Sequence, residues 1–235
     1  MTKVSIIIPT LNEEKRLPRC LLSLFRQSFH DFEIIIVDSG SEDRTVEIAH
    51  KFGARVLFEP QLGFAVAKNF GASEAKGELL IFTDADSEHP KDWLARMVEH
   101  FQRDEHVVCV LGPIRPIERN LLHSVIFAIT TDIIPRITAL FGFYIGQAPN
   151  EAFRKSAFES AGGFDERLRM LEDNELPNRI KRLGRVVFDP SIWVRVSARR
   201  YEKEGYIQAT RRFLEAYHRI YFQKRAASEE YPLYR

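Results

Sequence analysis

Four short β-branched runs, separated by helix-period stretches, constrain this chain more than any other feature. Val4–Ile8, Glu33–Val37, Arg55–Phe58 and Glu78–Phe82 read as strands. Glu14–Gln27, Arg44–Phe52, Phe64–Ala75 and Lys91–Gln102 read as the helices between them. Ile34-Ile35-Ile36-Val37 is apolar without alternation, as expected of a strand buried on both faces. A β-α-β-α order of this kind predicts an α/β fold, with a mostly parallel central sheet and helices on both faces. Ser41-Glu42-Asp43 offers caps and first-turn acids to the second helix, and Pro90 with Asp92 is read as opening the fourth. Gly53 and Gly77 are read as left-handed helix stops.

After Val107–Leu111 the pattern changes. Gly112, Pro113 and Pro116 punctuate the chain, and an apolar region, Leu121–Ile145, follows. Asp132, Pro135 and Arg136 interrupt that region, so it is read as a buried or membrane-facing helical pair rather than one spanning helix. Glu151–Ser160 and Asp173–Leu183 read as helices, Gly162-Gly163 as a turn, and Val186–Phe188 as a strand. Pro177 falls either in the interior of the second of these helices or in its first turn. From Tyr201 onward the chain is basic and aromatic. Its stripe of Tyr206, Phe213, Tyr217, Ile220 and Tyr221 fits packing against the domain or contact with an anionic membrane surface.

The chain has 235 residues and a net charge of +1, so bulk electrostatics give no case for nucleic-acid binding. Cys20 and Cys109 lack the spacing of a zinc site or a disulfide framework, and the N-terminus runs straight into a strand-like segment without a signal-peptide pattern. The expectation is a cytoplasmic protein, with the inner face of the membrane as its place of contact if it has one.

Ligands of open parallel sheets bind at the carboxyl ends of the strands. Pro9-Thr10-Leu11-Asn12-Glu13-Glu14 follows the first strand, Asp38-Ser39-Gly40-Ser41 the second, and Thr83-Asp84-Ala85-Asp86 the fourth. Each alone could be a cap or a turn; together they gather acids on one edge. On an extended segment Asp84 and Asp86 would point the same way, and a divalent cation relieves the repulsion of such a pair. Glu172-Asp173 is a second acidic point, readable as a helix cap or as a general base for a hydroxyl. Lys68 is readable as a phosphate contact or a solvated side chain, and the Arg199-Arg200 pair as a diphosphate contact or a solvated basic face.

Taken together these segments resemble the family 2 inverting glycosyltransferases of GT-A fold, from Val4 to about Arg200. The matching stretches are Val4–Glu14, Ile36–Thr45, Ala67–Ala72, Thr83–Asp86, and Gly162–Glu166 with Glu172-Asp173. The resemblance implies a nucleotide-diphospho-sugar transferase fold, with a catalytic domain over 1–200 (nucleotide-binding half 1–111, acceptor half 112–200) and a basic helical extension over 201–235. It implies that Pro9, Thr10, Asn12, Glu13 and Asp38 line the nucleoside pocket, and that Lys68, Asp84 and Ala85 lie near ribose and diphosphate. Arg199 and Arg200 would favour departure of the diphosphate. Asp86 would hold Mn²⁺ or Mg²⁺, and Asp173 would be the catalytic base, with Glu172 as the other candidate. The donor would be a UDP- or GDP-sugar and the acceptor a glycan, glycolipid or polyprenyl phosphate. Asp84–Pro90 also resembles polyprenyl-phosphate sugar synthases. The QxxRW motif of processive synthases does not occur. A sugar nucleotidyltransferase is disfavoured by the acidic Leu11–Glu14 stretch, and a non-catalytic binding module by the presence of Asp84, Asp86 and Asp173.

Overall fold

A computed structural model describes residues 3–118, 120–199 and 204–221. The four expected strands and the helices between them form: β1 Val4–Thr10, α1 Leu17–Phe25, β2 Phe32–Asp38, α2 Thr45–Lys51, β3 Arg55–Phe58, α3 Phe64–Ser73 and β4 Leu79–Phe82. Next come β5 Ser87–Glu88, α4 Trp93–Arg103, β6 Val107–Leu111 and β7 Ile114–Pro116. A helical run follows, made of α5 Leu121–Phe127, a π-helical turn Ala128–Ile133 and α6 Ile134–Leu140. The chain continues through β8 Glu151–Arg154, α7 Lys155–Ala161, α8 Glu172–Ile180, β9 Arg185–Phe188, β10 Val194–Val196 and α9 Tyr206–Tyr221.

The main sheet has seven strands in the order β3-β2-β1-β4-β8-β6-β9. β1 pairs in parallel with both β2 and β4, so the chain winds one way from β1 to β3 and then restarts on the other side. That reversal opens a crevice at the carboxyl ends of β1 and β4, the usual ligand position of such sheets. β8 is the exception to parallel pairing, antiparallel to both β4 and β6. Its direction brings its first residue, Glu151, beside Phe82 and Leu111 at the same edge. A small second sheet, β5-β10-β7, stands beside this edge. β8 and β9 come from 112–200 yet flank β6 of 1–111, so the two expected halves share one sheet.

Alternation along β1 divides the core. Val4, Ile6 and Ile8 pack with Leu17, Leu21, Leu24, Leu94 and Met97 on one face. Ile7 packs with Ile35, Val37 and the alanines of α3 on the other. There Phe82, Phe153, Phe158 and Phe164 form an aromatic cluster with ring centroids 5.0–5.9 Å apart. Such edge-to-face contacts add to the area term for each ring.

Several expectations are corrected. Glu151–Arg154 is a strand, not the start of a helix. Its alternation places Ala152 and Phe153 in opposite core layers, and tertiary pairing on both sides overrides local propensity. Leu121–Leu140 is one continuous helical run rather than a pair, because the π-helical turn just before Pro135 accommodates the residue that lacks an N–H. Pro90 precedes the fourth helix; Asp92 is its N-cap residue without a capping bond and pairs instead with Arg96. Gly53 is left-handed at φ +70°, but Gly77 is not; a Cβ there would lie 2.5 Å from the Ser5 nitrogen, so close approach of backbones requires the glycine. Pro177 sits inside α8, not in its first turn.

Candidate active site

Two loops at the carboxyl ends of β1 and β2 are laced together by bonds from backbone N–H groups of each to side-chain oxygens of the other. Asn12 adopts left-handed backbone (φ 55°) and donates its N–H to Ser41 Oγ at 2.8 Å; its Oδ1 accepts the Glu42 N–H at 2.8 Å. The Glu13 N–H donates to Thr45 Oγ1 and the Glu14 N–H to Asp43 Oδ2. Asp38 is buried, and both of its oxygens are engaged. Oδ1 accepts the N–H groups of Gly40 and Ser41, and Oδ2 the hydroxyls of Ser41 and Thr10. Asp38 thus fixes the loop that would face a nucleoside, with its carboxylate already committed to that turn. Pro9 lies half-buried at the end of β1, opposite Val37.

Asp84-Ala85-Asp86 is a turn, not an extended segment: the Ser87 N–H donates to the Asp84 carbonyl at 3.1 Å. The two carboxylates therefore serve different neighbourhoods. Asp86 faces Arg199, whose Nε lies 3.4 Å from Asp86 Oδ2. The same guanidinium holds Glu13 through two nitrogens, at 2.6 and 3.3 Å. Asp84 instead interacts with Lys68, Glu172 and Asp173 on its other side. Ala85 is buried between them. Burial and the adjacent Asp86 carboxylate push Asp84 up to about 7. Burial also pushes Asp86 up, against the attraction of Arg199. The pair is thus an excess of negative charge held partly out of water. Among the described residues no cluster of three or more His, Cys, Asp or Glu side chains forms a metal cage. Mg²⁺ and Mn²⁺ at phosphate sites do not need one, since one or two carboxylates plus substrate phosphates suffice. The donor chemistry of Asp84 and Asp86 fits such an ion.

Lys68 is neither a solvated side chain nor free to meet a phosphate. It is fully buried, and its Nζ lies 3.2 Å from Glu151 Oε1 and 3.3 Å from Glu172 Oε1. The Phe164 ring sits 4.8 Å from the same ammonium. One ammonium between two carboxylates leaves one negative charge over. Burial drives the Glu151 carboxyl toward its neutral form, and its Oε2 has no hydrogen-bond partner. The next residue, Asn69, clamps the turn at 163–164: its Nδ2 donates to the Phe164 carbonyl and its Oδ1 accepts the Phe164 N–H, both at 2.9 Å.

Asp173 occupies the first turn of α8. Its Oδ2 accepts the Ala148 N–H at 2.9 Å and its Oδ1 accepts Asn174 Nδ2 at 2.8 Å. Burial and the neighbouring Glu172 carboxylate push Asp173 up to about 6. The residue before this pair, Leu171, is held left-handed (φ 66°), a costly conformation for leucine. Met170 and Leu171 pack against Ala216 and Tyr217 of α9, so the C-terminal helix buttresses the approach to Asp173. α9 packs on the domain through Ala216 and Tyr217; the side chains of Tyr206, Phe213, Ile220 and Tyr221, and all of residues 200–203 and 222–235, lie outside the described residues. Pro177 cannot donate to the Asp173 carbonyl four residues back. Gly146 packs on that carbonyl so closely that a Cβ would lie 1.9 Å from the oxygen.

The structure thus gathers Asp84, Lys68, Glu172 and Asp173 in one cluster and Glu13, Asp86 and Arg199 in an adjoining one, with Asn12 and Asp38 organising the loops beside them. Sequence reasoning missed Glu151, whose signal was a lone acid at the head of the apolar run Ala152-Phe153. It read Ser41 only as a strand-end polar residue and helix cap, and gave Thr45 no role, whereas both hold the Asn12–Glu13 backbone.

Comparison with known proteins agrees with this geometry. The family model described as Glycosyl transferase family 2 matches residues 5–162. A PGL/p-HBAD biosynthesis glycosyltransferase of Mycobacterium bovis is 32% identical over 72% of this chain and 66% of its own. Mannosyltransferase PcManGT from Pyrobaculum calidifontis, solved with GDP-Man and Mn²⁺, superposes with a TM-score of 0.69 at 22% identity, over 93% of this chain and 62% of that one. S. aureus TarS 1-349, solved with UDP-GlcNAc, gives a TM-score of 0.65 at 22% identity, over 83% and 58%. These neighbours establish the GT-A fold. The chain spans between 29% and 66% of the length of these curated relatives. Because the family match runs over more than half of the chain, from β1 to the end of α7, the protein belongs to glycosyltransferase family 2.

Proposed function

We propose that this chain moves a sugar from a UDP- or GDP-sugar to the hydroxyl of a glycan or glycolipid, or to a polyprenyl phosphate, by a single displacement that inverts the anomeric centre. The observation that carries this reading is Asp173. It is fixed by the Ala148 N–H and Asn174, belongs to the cluster that contains Asp84, and has its pKa pushed up to about 6 by burial and Glu172. A general base works best when its pKa lies near the operating pH. With a hydroxyl acceptor, Asp173 takes the proton as the oxygen bonds to the anomeric carbon. The bond from that carbon to the donor phosphate breaks, and its electron pair leaves with the nucleoside diphosphate.

On the donor side, the laced loops around Asn12 and Asp38 present the nucleoside pocket, with Pro9 and Thr10 at its floor. Asp84 steadies the ribose–diphosphate end. Asp86 would hold a divalent cation, which supplies neutralisation of the diphosphate charge. Arg199 stands between Glu13 and Asp86, where its guanidinium can also turn to an anionic leaving group. The neighbours bound to GDP-Man with Mn²⁺ and to UDP-GlcNAc support the donor class.

The test is release of nucleoside diphosphate from a panel of UDP- and GDP-sugars with Mn²⁺ and a mixed acceptor set. Asp86→Ala should lose metal-dependent nucleotide binding. Asp173→Asn should keep donor binding and lose transfer. No turnover together with no metal-dependent nucleotide binding contradicts the enzyme reading, and normal transfer by Asp173→Asn contradicts the assignment of the base.

A further inference from the structure

The helical run Leu121–Leu140 has two faces with different fates. His123, Phe127, Thr131 and Pro135 are buried at four-residue spacing against the domain. The Thr131 hydroxyl donates to the Ile114 carbonyl at 2.8 Å, tying the π-helical turn to β7. The opposite face carries Val125, Ile129, Ile133 and Ile137, all exposed, and it ends in Leu140 and Phe141 at 85% and 83% exposure. By length and composition this run could cross a membrane. In the folded domain one stripe of it is held against β7, so the run lies along the surface of the domain. A contiguous exposed apolar strip of this kind marks an interaction site in a soluble protein.

A second feature borders it. Trp193 stands between two exposed arginines, with Arg115 Cζ 4.3 Å and Arg195 Cζ 5.4 Å from its ring centre. Arg115 and Arg195 are direct partners across β7 and β10. Asp132 on the helical run lies within electrostatic reach of Arg115, but the Asp132 carboxylate is already held by Arg136 through two hydrogen bonds. Glu88, the partner of Arg195 across β5 and β10, is likewise paired with Arg19. The cluster thus sets two exposed guanidiniums, whose acidic neighbours are each shared with another arginine, beside an apolar strip and an aromatic ring. A twofold contact centred on this cluster would set guanidinium against guanidinium. An anionic bilayer surface matches all three elements: phosphates for the arginines, the interfacial belt for tryptophan, and acyl chains for the strip.

We infer that the protein docks on anionic membranes, lying flat, through the exposed strip of Leu121–Phe141 together with Arg115, Trp193 and Arg195. This contact is independent of catalysis and is measured without donor or acceptor. The full chain is sedimented with vesicles of phosphatidylcholine alone and of phosphatidylcholine mixed with phosphatidylglycerol, at low and high salt. The wild type should bind the mixed vesicles more tightly and lose affinity with salt. Each cation near such a surface is worth about fivefold in binding, so Arg115→Gln with Arg195→Gln should bind mixed vesicles about 25-fold more weakly. Ile129→Asp with Ile137→Asp should weaken binding to both vesicles by at least about tenfold. Leu140→Asp, at the most exposed position, repeats that test should the double variant melt early. Failure of the wild type to sediment with mixed vesicles overturns the inference, as does wild-type binding by both sets of variants. So does a dimer in solution that the isoleucine variant converts to monomer, since the strip would then be an interface between copies.

Discussion

Replacing Lys68 by methionine removes the one cation between two buried carboxylates while keeping most of the side-chain volume. Glu151 and Glu172 are 0% and 6% exposed, and Lys68 is the ammonium they share. Breaking a buried ion pair from one side costs about 3–5 kcal/mol, because the partner left behind is an uncompensated charge. For a chain of this size, each kcal/mol shifts the melting temperature by about 2–4 °C, so the variant should melt about 6–20 °C lower at neutral pH. The deficit should depend on pH with a definite sign. Burial already raises Glu151, and loss of the ammonium raises it further. A carboxyl raised in the folded state stabilises the fold below its unfolded pKa, about 4.3, and that contribution is lost as pH rises through the folded value. The Lys68→Met deficit should therefore grow from pH 5 to pH 8. Glu151→Gln is the control. It mimics the neutral carboxyl and keeps the Lys68–Glu172 pair, so it should cost no more than about 1 kcal/mol. Calorimetry or urea titration at pH 5 and pH 8 reads both. Equal stability of Lys68→Met and wild type at pH 8 refutes the reasoning, as does a Glu151→Gln loss as large as that of Lys68→Met.

Two further predictions concern groups around the crevice. Transfer to a hydroxyl acceptor should rise with pH through about 6, as Asp173 loses its proton, and level off above it; a kcat/KM profile without an acid limb near 6 contradicts Asp173 as base. His89 is buried and neutral, its pKa pushed down to about 3 by burial. Ser23 gives its proton to the Cys20 carbonyl, so the His89 Nδ1–H donates to Ser23 Oγ and the Thr83 hydroxyl donates to Nε2, both at 2.8 Å. His89→Leu should cost about 1–3 kcal/mol by stranding the buried Thr83 hydroxyl. Stability contributed by a depressed histidine is present above pH 6.5 and lost as pH falls toward 3, so the variant should also unfold less steeply in acid; an unchanged acid limb contradicts the assignment.

The sheet edge was legible because it is written locally. β1, β2 and β4 are apolar runs ending in polar groups, and strand direction alone then puts Asn12, Asp38 and Asp84 on one edge. The antiparallel β8 was not legible, since its four residues, Glu151–Arg154, carry no pattern until β4 and β6 flank them. With β8 went Glu151, and with Glu151 the true surroundings of Lys68. The orientation of Asp84 and Asp86 failed for a related reason: alternation holds only while a segment stays extended, and the bond from the Ser87 N–H to the Asp84 carbonyl closes a turn. That turn gives each carboxylate its own neighbours, a division of roles that spacing in the sequence does not contain.

In the proposed reaction a nucleoside diphosphate sits at this edge, with its phosphates toward Asp86 and its sugar end toward Asp173. A crystal structure of the full chain with Mn²⁺ and UDP or GDP tests it directly. The metal should sit on Asp86, the nucleoside against the laced loops at Thr10–Glu13 and Asp38–Ser41, and the terminal phosphate on the side of Asp173. A nucleotide bound away from the carboxyl ends of β1 and β4, or a metal that leaves Asp86 untouched, contradicts it.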